Sequence, residues 1–320
     1  MRNFEKPYPS LNIADYSHIF KVNERFKCDS CKKNRKFFCY SCSIPHPEIT
    51  VPNIKLPFKI DIVKHRQESD GKSTSCHAKM LAGSQVNIYE YPNIPDYEEE
   101  KEDCVLIFVS PKAVDVKSLF KGCRKLELKE NYGLEKGYRI GTLLTKNLKE
   151  IVDEEKQQEV FLNSNKSEEV YTLDNLPFKK VVFIDSTWKQ CRGIYQDQRI
   201  QALSTVIIQN RITKFWRKQK GAPNWFLSTI EAIHQFTLEF HVNAWGISKS
   251  YYDKCLKDFQ LLNTDWIPED KIISHDTQQN ELTTPYNGQY DNLLFFFSFV
   301  HSLIHSLDNP NQPLPKNNNE

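Results

Sequence analysis

The chain has 320 residues, 39% of them hydrophobic and 26% charged, a usage that lies far from compositions that stay disordered. At about 150 residues per domain, this length accommodates one large core with an appendage, or a single domain with insertions. The net charge is only +2, yet residues 179–220 alone carry +8, which directs the search for a polyanion partner to that block and leaves a solvated basic surface as the bland alternative.

Residues 1–20 read as a lead-in without a signal-peptide pattern, so the chain is expected to be intracellular, its nine cysteines being thiols or metal ligands rather than disulfides. Residues 21–50 form a basic, cysteine-rich knot. Cys28-x2-Cys31 and Cys39-x2-Cys42 stand seven residues apart, a spacing that lets four thiolates converge on one structural Zn2+. Unrelated thiols or a redox pair are the alternatives. Lys27, Lys32, Lys33, Arg35 and Lys36 would offset the charge of such a site and could meet a phosphate backbone.

The main domain is expected over 51–307. Leu56, Phe58, Ile60 and Ile62 alternate with Pro57, Lys59 and Asp61, the period of a half-buried strand. Further strands are predicted at Val86–Tyr91, Val105–Val109, Val181–Ile184 and Val206–Ile208, with an acidic loop at Asp96–Asp103 and an acidic insertion near 146–175. Helices follow at Phe226–Phe240 and Tyr290–Leu307, and the tail 308–320 reads as disordered. Strands spaced by helix-length segments predict an α/β fold with a mostly parallel sheet flanked by helices. No apolar run is long enough to cross a membrane, so no membrane association is expected.

Asp185-Ser186-Thr187-Trp188 follows a strand directly, and ligands of open α/β sheets bind at the carboxyl ends of strands. A reaction centre at Asp185 competes with simple capping of the next helix. Trp188 suits either stacking on a base or packing the strand on its helix. Ser228-x-x-Glu231 has the form of a capping box, whose helix N-terminus could also meet an anion. The run Arg211, Lys214, Phe215, Trp216, Arg217, Lys218 combines cations with aromatic rings, as a single-stranded RNA loop requires. Neither a G-x-G-x-x-G nor a P-loop sequence occurs.

These residues carry a family resemblance. Asp185-Ser186-Thr187-Trp188 is similar to the D-x-T-W signature of the DTW-domain tRNA-uridine aminocarboxypropyltransferases, and Ser228-Thr229-Ile230-Glu231-Ala232 resembles their second box. His65-x-x-Glu68 followed by Lys72-Ser73-Thr74 resembles the segment after their first strand. Tyr286-x2-Gln289-Tyr290-Asp291 and Phe215-Trp216-Arg217 look like the first eukaryotic branch. Lys189 stands where many bacterial relatives carry a second acid.

The resemblance implies a SPOUT-like, knotted α/β fold. It also implies transfer of the 3-amino-3-carboxypropyl group of S-adenosylmethionine to N3 of a D-loop uridine of tRNA, at position 20, giving acp3U and methylthioadenosine in the nucleus. Asp185 would then be the catalytic base, with Ser186, Thr187 and Trp188 in the substrate pocket. Lys72, Thr74, Ser228, Thr229 and Glu231 would meet the cofactor, and Arg211, Lys214, Trp216, Arg217 and Lys218 the RNA. An RNA methyltransferase using the same cofactor and a non-catalytic zinc-containing RNA-binding module are the competing readings.

Overall fold

The computed structural model describes residues 6–120, 171–209, 211–217, 223–259, 266–274 and 282–308. Most of the acidic insertion and nearly all of the tail therefore lie outside the described residues. Six strands build one parallel sheet: β1 (Lys59–His65), β2 (Val86–Tyr91), β3 (Cys104–Ile107), β4 (Val114–Asp115), β5 (Lys180–Asp185) and β6 (Ser204–Ile207). Their order is β2-β1-β5-β3-β6-β4, and every neighbouring pair is parallel. The parallel α/β expectation is met.

Helices cover both faces, which is why these strands are rich in Val and Ile on both sides. On one face Ile60, Ile62, Val181 and Phe183 pack under α1 (Ser75–Ala82), α4 (Thr229–Trp245) and α6 (Phe295–Asp308). On the other, Val63, Leu106 and Val182 meet Ile194 of α2 (Trp188–Tyr195) and Ile200 of α3 (Gln198–Gln201). A further helix, α5 (Lys249–Phe259), contributes Tyr251 and Cys255 to the larger core.

The half-buried strand predicted from Leu56 is corrected in two ways. It begins at Lys59, because the Leu56 backbone is held outside the ladder by the Gln85 amide, and Asp61 and Val63 on its second face are buried as well. Asp61 tolerates burial because Asn87 Nδ2 (3.0 Å) and the Tyr97 hydroxyl (3.3 Å) donate to it and Lys180 Nζ lies 3.7 Å away. The helix predicted from Phe226 starts at Thr229. The one predicted from Tyr290 opens with a 3-10 turn, Asp291–Leu294, before α6.

Residues 6–22, read as a lead-in, lie in the main core: Tyr8, Leu11, Tyr16, Ile19 and Val22 are buried in it. The cysteine-rich segment folds as two short antiparallel ladders, Phe26–Lys27 with Asn34–Arg35 and Phe38–Cys39 with Ile44–Pro45. Its Phe37 ring packs on Phe299 (4.8 Å between centroids) and Phe38 on His77 and Phe296, so this knuckle is docked on α1 and α6.

The connection from β1 runs outward through α1 to β2, whereas that from β5 runs the other way through α2 and α3 to β6. The two adjacent central strands thus send their chains to opposite faces. A crevice at their carboxyl ends is the place where open α/β sheets bind ligands.

Candidate active site

Asp185 is the last residue of β5, paired in register with Lys64 of β1, at that crevice. It is 5% exposed. Ser73 Oγ donates to its Oδ2 at 2.5 Å and Thr229 Oγ1 to its Oδ1 at 2.7 Å. One donor comes from the loop between β1 and α1, the other from the first residue of α4. Two helix N-termini therefore converge on the carboxylate and α2 starts three residues beyond it, an arrangement that favours negative charge. Two hydroxyl bonds fix the carboxylate in orientation, and each oxygen has a second lone pair that could take a substrate proton.

The neighbouring loop adds a second carboxylate, Glu68, to which the sequence alone gives no role. Burial, and next the Asp185 charge, push the Glu68 carboxyl above its ordinary range against the pull of Lys64, Lys72 and Arg217. Lys72 is exposed there, and Arg217 Nη2 donates to the Gly71 carbonyl at 3.0 Å. Ser73, the direct partner of Asp185, lies in the loop between a strand and a helix, a position that by itself singles out no chemistry.

Several expected ligand contacts are spent inside the fold. Thr74 Oγ1 accepts from the Ile230 amide at 3.1 Å, so this hydroxyl of the α1 start satisfies an orphan amide of α4. Ser228 and Glu231 form the expected capping box. Glu231, fully buried, also accepts from the Tyr8 hydroxyl (2.6 Å), Thr213 Oγ1 (2.7 Å) and the Lys214 amide (2.8 Å). Its carboxylate ties the N-terminal segment and the 213–214 loop to α4. Thr187 caps α2 through Gln190, Ser186 Oγ bonds the Thr187 carbonyl at 3.2 Å, and the Trp188 side chain lies outside what is described.

The basic block divides. Arg211, expected on RNA, is fully buried, 5.3 Å over the Tyr8 ring and 3.3 Å from His234 Nδ1. Trp216 packs on Phe297 at 5.1 Å and is half-buried. Lys179 and Lys180 lie at the opposite end of β5 from Asp185, where the acidic loop neutralises them through Asp103 and Glu100. Lys214 and Arg217 are half-buried, Arg217 reaching the Gly71 carbonyl, and Lys218 lies outside the described residues.

In the knuckle, the sulfur atoms of Cys28, Cys31, Cys39 and Cys42 all lie within 4.8 Å of one another. Lys32 and Ser43, each following a second cysteine, have positive φ (58° and 53°), so the chain turns sharply after each pair. Four soft thiol donors held this way suit a tetrahedral metal, and four protein ligands would make the site structural. Among the other cysteines, Cys76, Cys104, Cys191 and Cys255 are buried, as expected of small core residues; Cys123 lies outside the described residues.

A family model described as the DTW domain matches residues 36–305. The chain belongs to the DTW-domain family. It is 36% identical over 299 residues to a Xenopus laevis protein named tRNA-uridine aminocarboxypropyltransferase 1, covering 92% of this chain and 85% of that one. Proteins of the same name from Mus musculus (37% over 306 residues) and Homo sapiens (36% over 305) each align with 94% of this chain and 84% of their own length. No solved structure matches. Kinship over this span makes the DTW chain a transferase, and it places the family match across both hydroxyl donors and the carboxylate they hold.

Proposed function

We propose that the protein transfers the 3-amino-3-carboxypropyl group of S-adenosylmethionine to N3 of a uridine in the D-loop of tRNA, at position 20. The single observation that carries the reading is Asp185, held between Ser73 and Thr229 at the crevice of a DTW fold. In this transfer the uridine N3–H proton leaves, the nitrogen takes the methionine γ carbon, and the C–S bond breaks with its electron pair on sulfur, releasing neutral methylthioadenosine. A neutral imide is a poor nucleophile, so a fixed carboxylate that takes the N3 proton contributes on the order of 10²- to 10⁴-fold.

The other residues position. Lys72 is the exposed cation available to an amino-acid carboxylate, Ser186 and Thr187 are assigned to the pocket wall, and attack at the γ carbon rather than the methyl group is decided by how the sulfonium substituents are held. Trp188 is assigned to stacking on the target base or on adenine. The knuckle cysteines are assigned to zinc, since the donor set and the two turns fit it. Lys214, Arg217 and Lys218 are assigned to RNA phosphates, and a nuclear location accords with the tRNA substrate.

A pair of variants tests these assignments by splitting in opposite directions. Asp185→Asn should lower turnover by at least about 10²-fold while tRNA affinity stays within about twofold. Lys214→Ala/Arg217→Ala/Lys218→Ala should weaken tRNA binding with cofactor binding unchanged. An Asp185→Asn enzyme with parental turnover would overturn the role of that carboxylate.

A further inference from the structure

The knuckle carries a cleft of about 260 Å³ that the metal site does not account for. Phe37, Phe38 and Tyr40 line it together with Arg25, Asn34, Arg35 and Lys36, and no carboxylate is among the lining residues. Two rings of its aromatic wall are packed from behind, Phe37 by Phe299 and Phe38 by His77 and Phe296. Its cations are oriented as well. The Arg35 guanidinium lies 3.9 Å over the Tyr40 ring and donates to the Tyr40 hydroxyl at 2.8 Å, while Lys36 Nζ sits 5.1 Å from the Phe37 ring. Arg25, Asn34 and Lys36 are exposed at the rim.

Flat apolar rings, an amide with both donor and acceptor, and exposed cations at the rim match one ligand chemistry: a base with its sugar phosphate. The cleft also has a direction. The Gly71 α carbon faces the Tyr40 ring, so closely that a β carbon there would lie 3.7 Å from it. Two residues on, Ser73 donates to Asp185. Two residue steps of about 3.6 Å, the two side-chain contacts and the side-chain bonds that reach them put the cleft wall roughly 17 Å or less from the reacting carboxylate. The family match begins at residue 36, so Arg25, Asn34 and Arg35 precede it.

We propose that this cleft is a nucleotide-binding subsite that holds a single-stranded nucleotide of the tRNA near the target uridine, the base against Phe38 and Tyr40 and the phosphates on Arg25 and Lys36. The proposal rests on the tRNA reading above. It gives the knuckle a ligand of its own beyond a structural metal.

The test measures binding of an unmodified tRNA transcript across a salt series by the parent and by Arg25→Ala/Lys36→Ala, which spares the cysteines and Arg35. Metal content and melting temperature report whether the knuckle stays folded. The double variant should bind about tenfold more weakly, and its slope of log K against log salt should be shallower by about 1.4–1.8, two phosphates at about 0.7–0.9 each. Ultraviolet crosslinking of the parent to the same transcript should mark Phe38 or Tyr40. Parental affinity and slope in a folded variant, with no crosslink in the knuckle, would overturn the subsite while leaving the tRNA reading intact. A parent that neither binds nor modifies the transcript would overturn both.

Discussion

Thr229 Oγ1 donates to Asp185 Oδ1 at 2.7 Å, tying the first residue of α4 to the last residue of β5. With Ser73 on the other oxygen, the carboxylate is held by two segments 156 positions apart in the chain, Ser73 and Thr229. Thr229→Val and Ser73→Ala should each lower turnover about tenfold, near 1.4 kcal/mol in the barrier, while leaving the fold within about 1 kcal/mol. Single-turnover rates and urea melts check this. Because both hydroxyls act through one carboxylate, the double variant should lose less than the sum.

Glu231 predicts the opposite balance. It is fully buried and accepts from Tyr8, Thr213 and the Lys214 amide, with Ser228 at the cap. Glu231→Gln sets an amide donor against these donors and should cost about 2–3 kcal/mol of stability, read as a lowered melting temperature. Loss of activity with an unchanged melting temperature would return Glu231 to the cofactor.

The sequence showed much of this arrangement. Strands at Val86–Tyr91 and Val181–Ile184 and the capping box at Ser228 were legible because period and capping are local properties. Asp185 stood out as an acid at the end of an apolar run. What was hidden depends on contacts between distant segments. Arg211 carries a charge typical of RNA contacts, yet the fold buries it between Tyr8 and His234. Lys179 and Lys180 counted toward the basic block, but they point to Asp103 and Glu100, at the far end of β5. Net charge per segment cannot see either effect. Glu68 and Ser73 gained meaning only when the loop after β1 was seen against Asp185.

A pH dependence of stability follows from α4. Burial pushes the Glu239 carboxyl up to about 8, opposed by donation from Gln235 and the Gln209 amide, both at 2.7 Å. The folded chain then holds a proton that the unfolded chain releases at ordinary carboxylate pH, so stability from this group falls as pH rises from about 4.5 and levels off above about 8. Glu239→Gln should remove that slope. Denaturant titrations at pH 6 and pH 9 should show the parent losing about 3 kcal/mol more than the variant. Equal losses would place a charged carboxylate in the core.

The most direct measurement of the central claim is product analysis of the purified protein incubated with tRNA and S-adenosylmethionine labelled in the carboxypropyl carbons. Label should appear in the tRNA as acp3U with methylthioadenosine released in equal amount, and both should be lost in Asp185→Asn. S-adenosylhomocysteine with a methylated nucleoside, or unlabelled tRNA from a protein that binds both substrates, would contradict it.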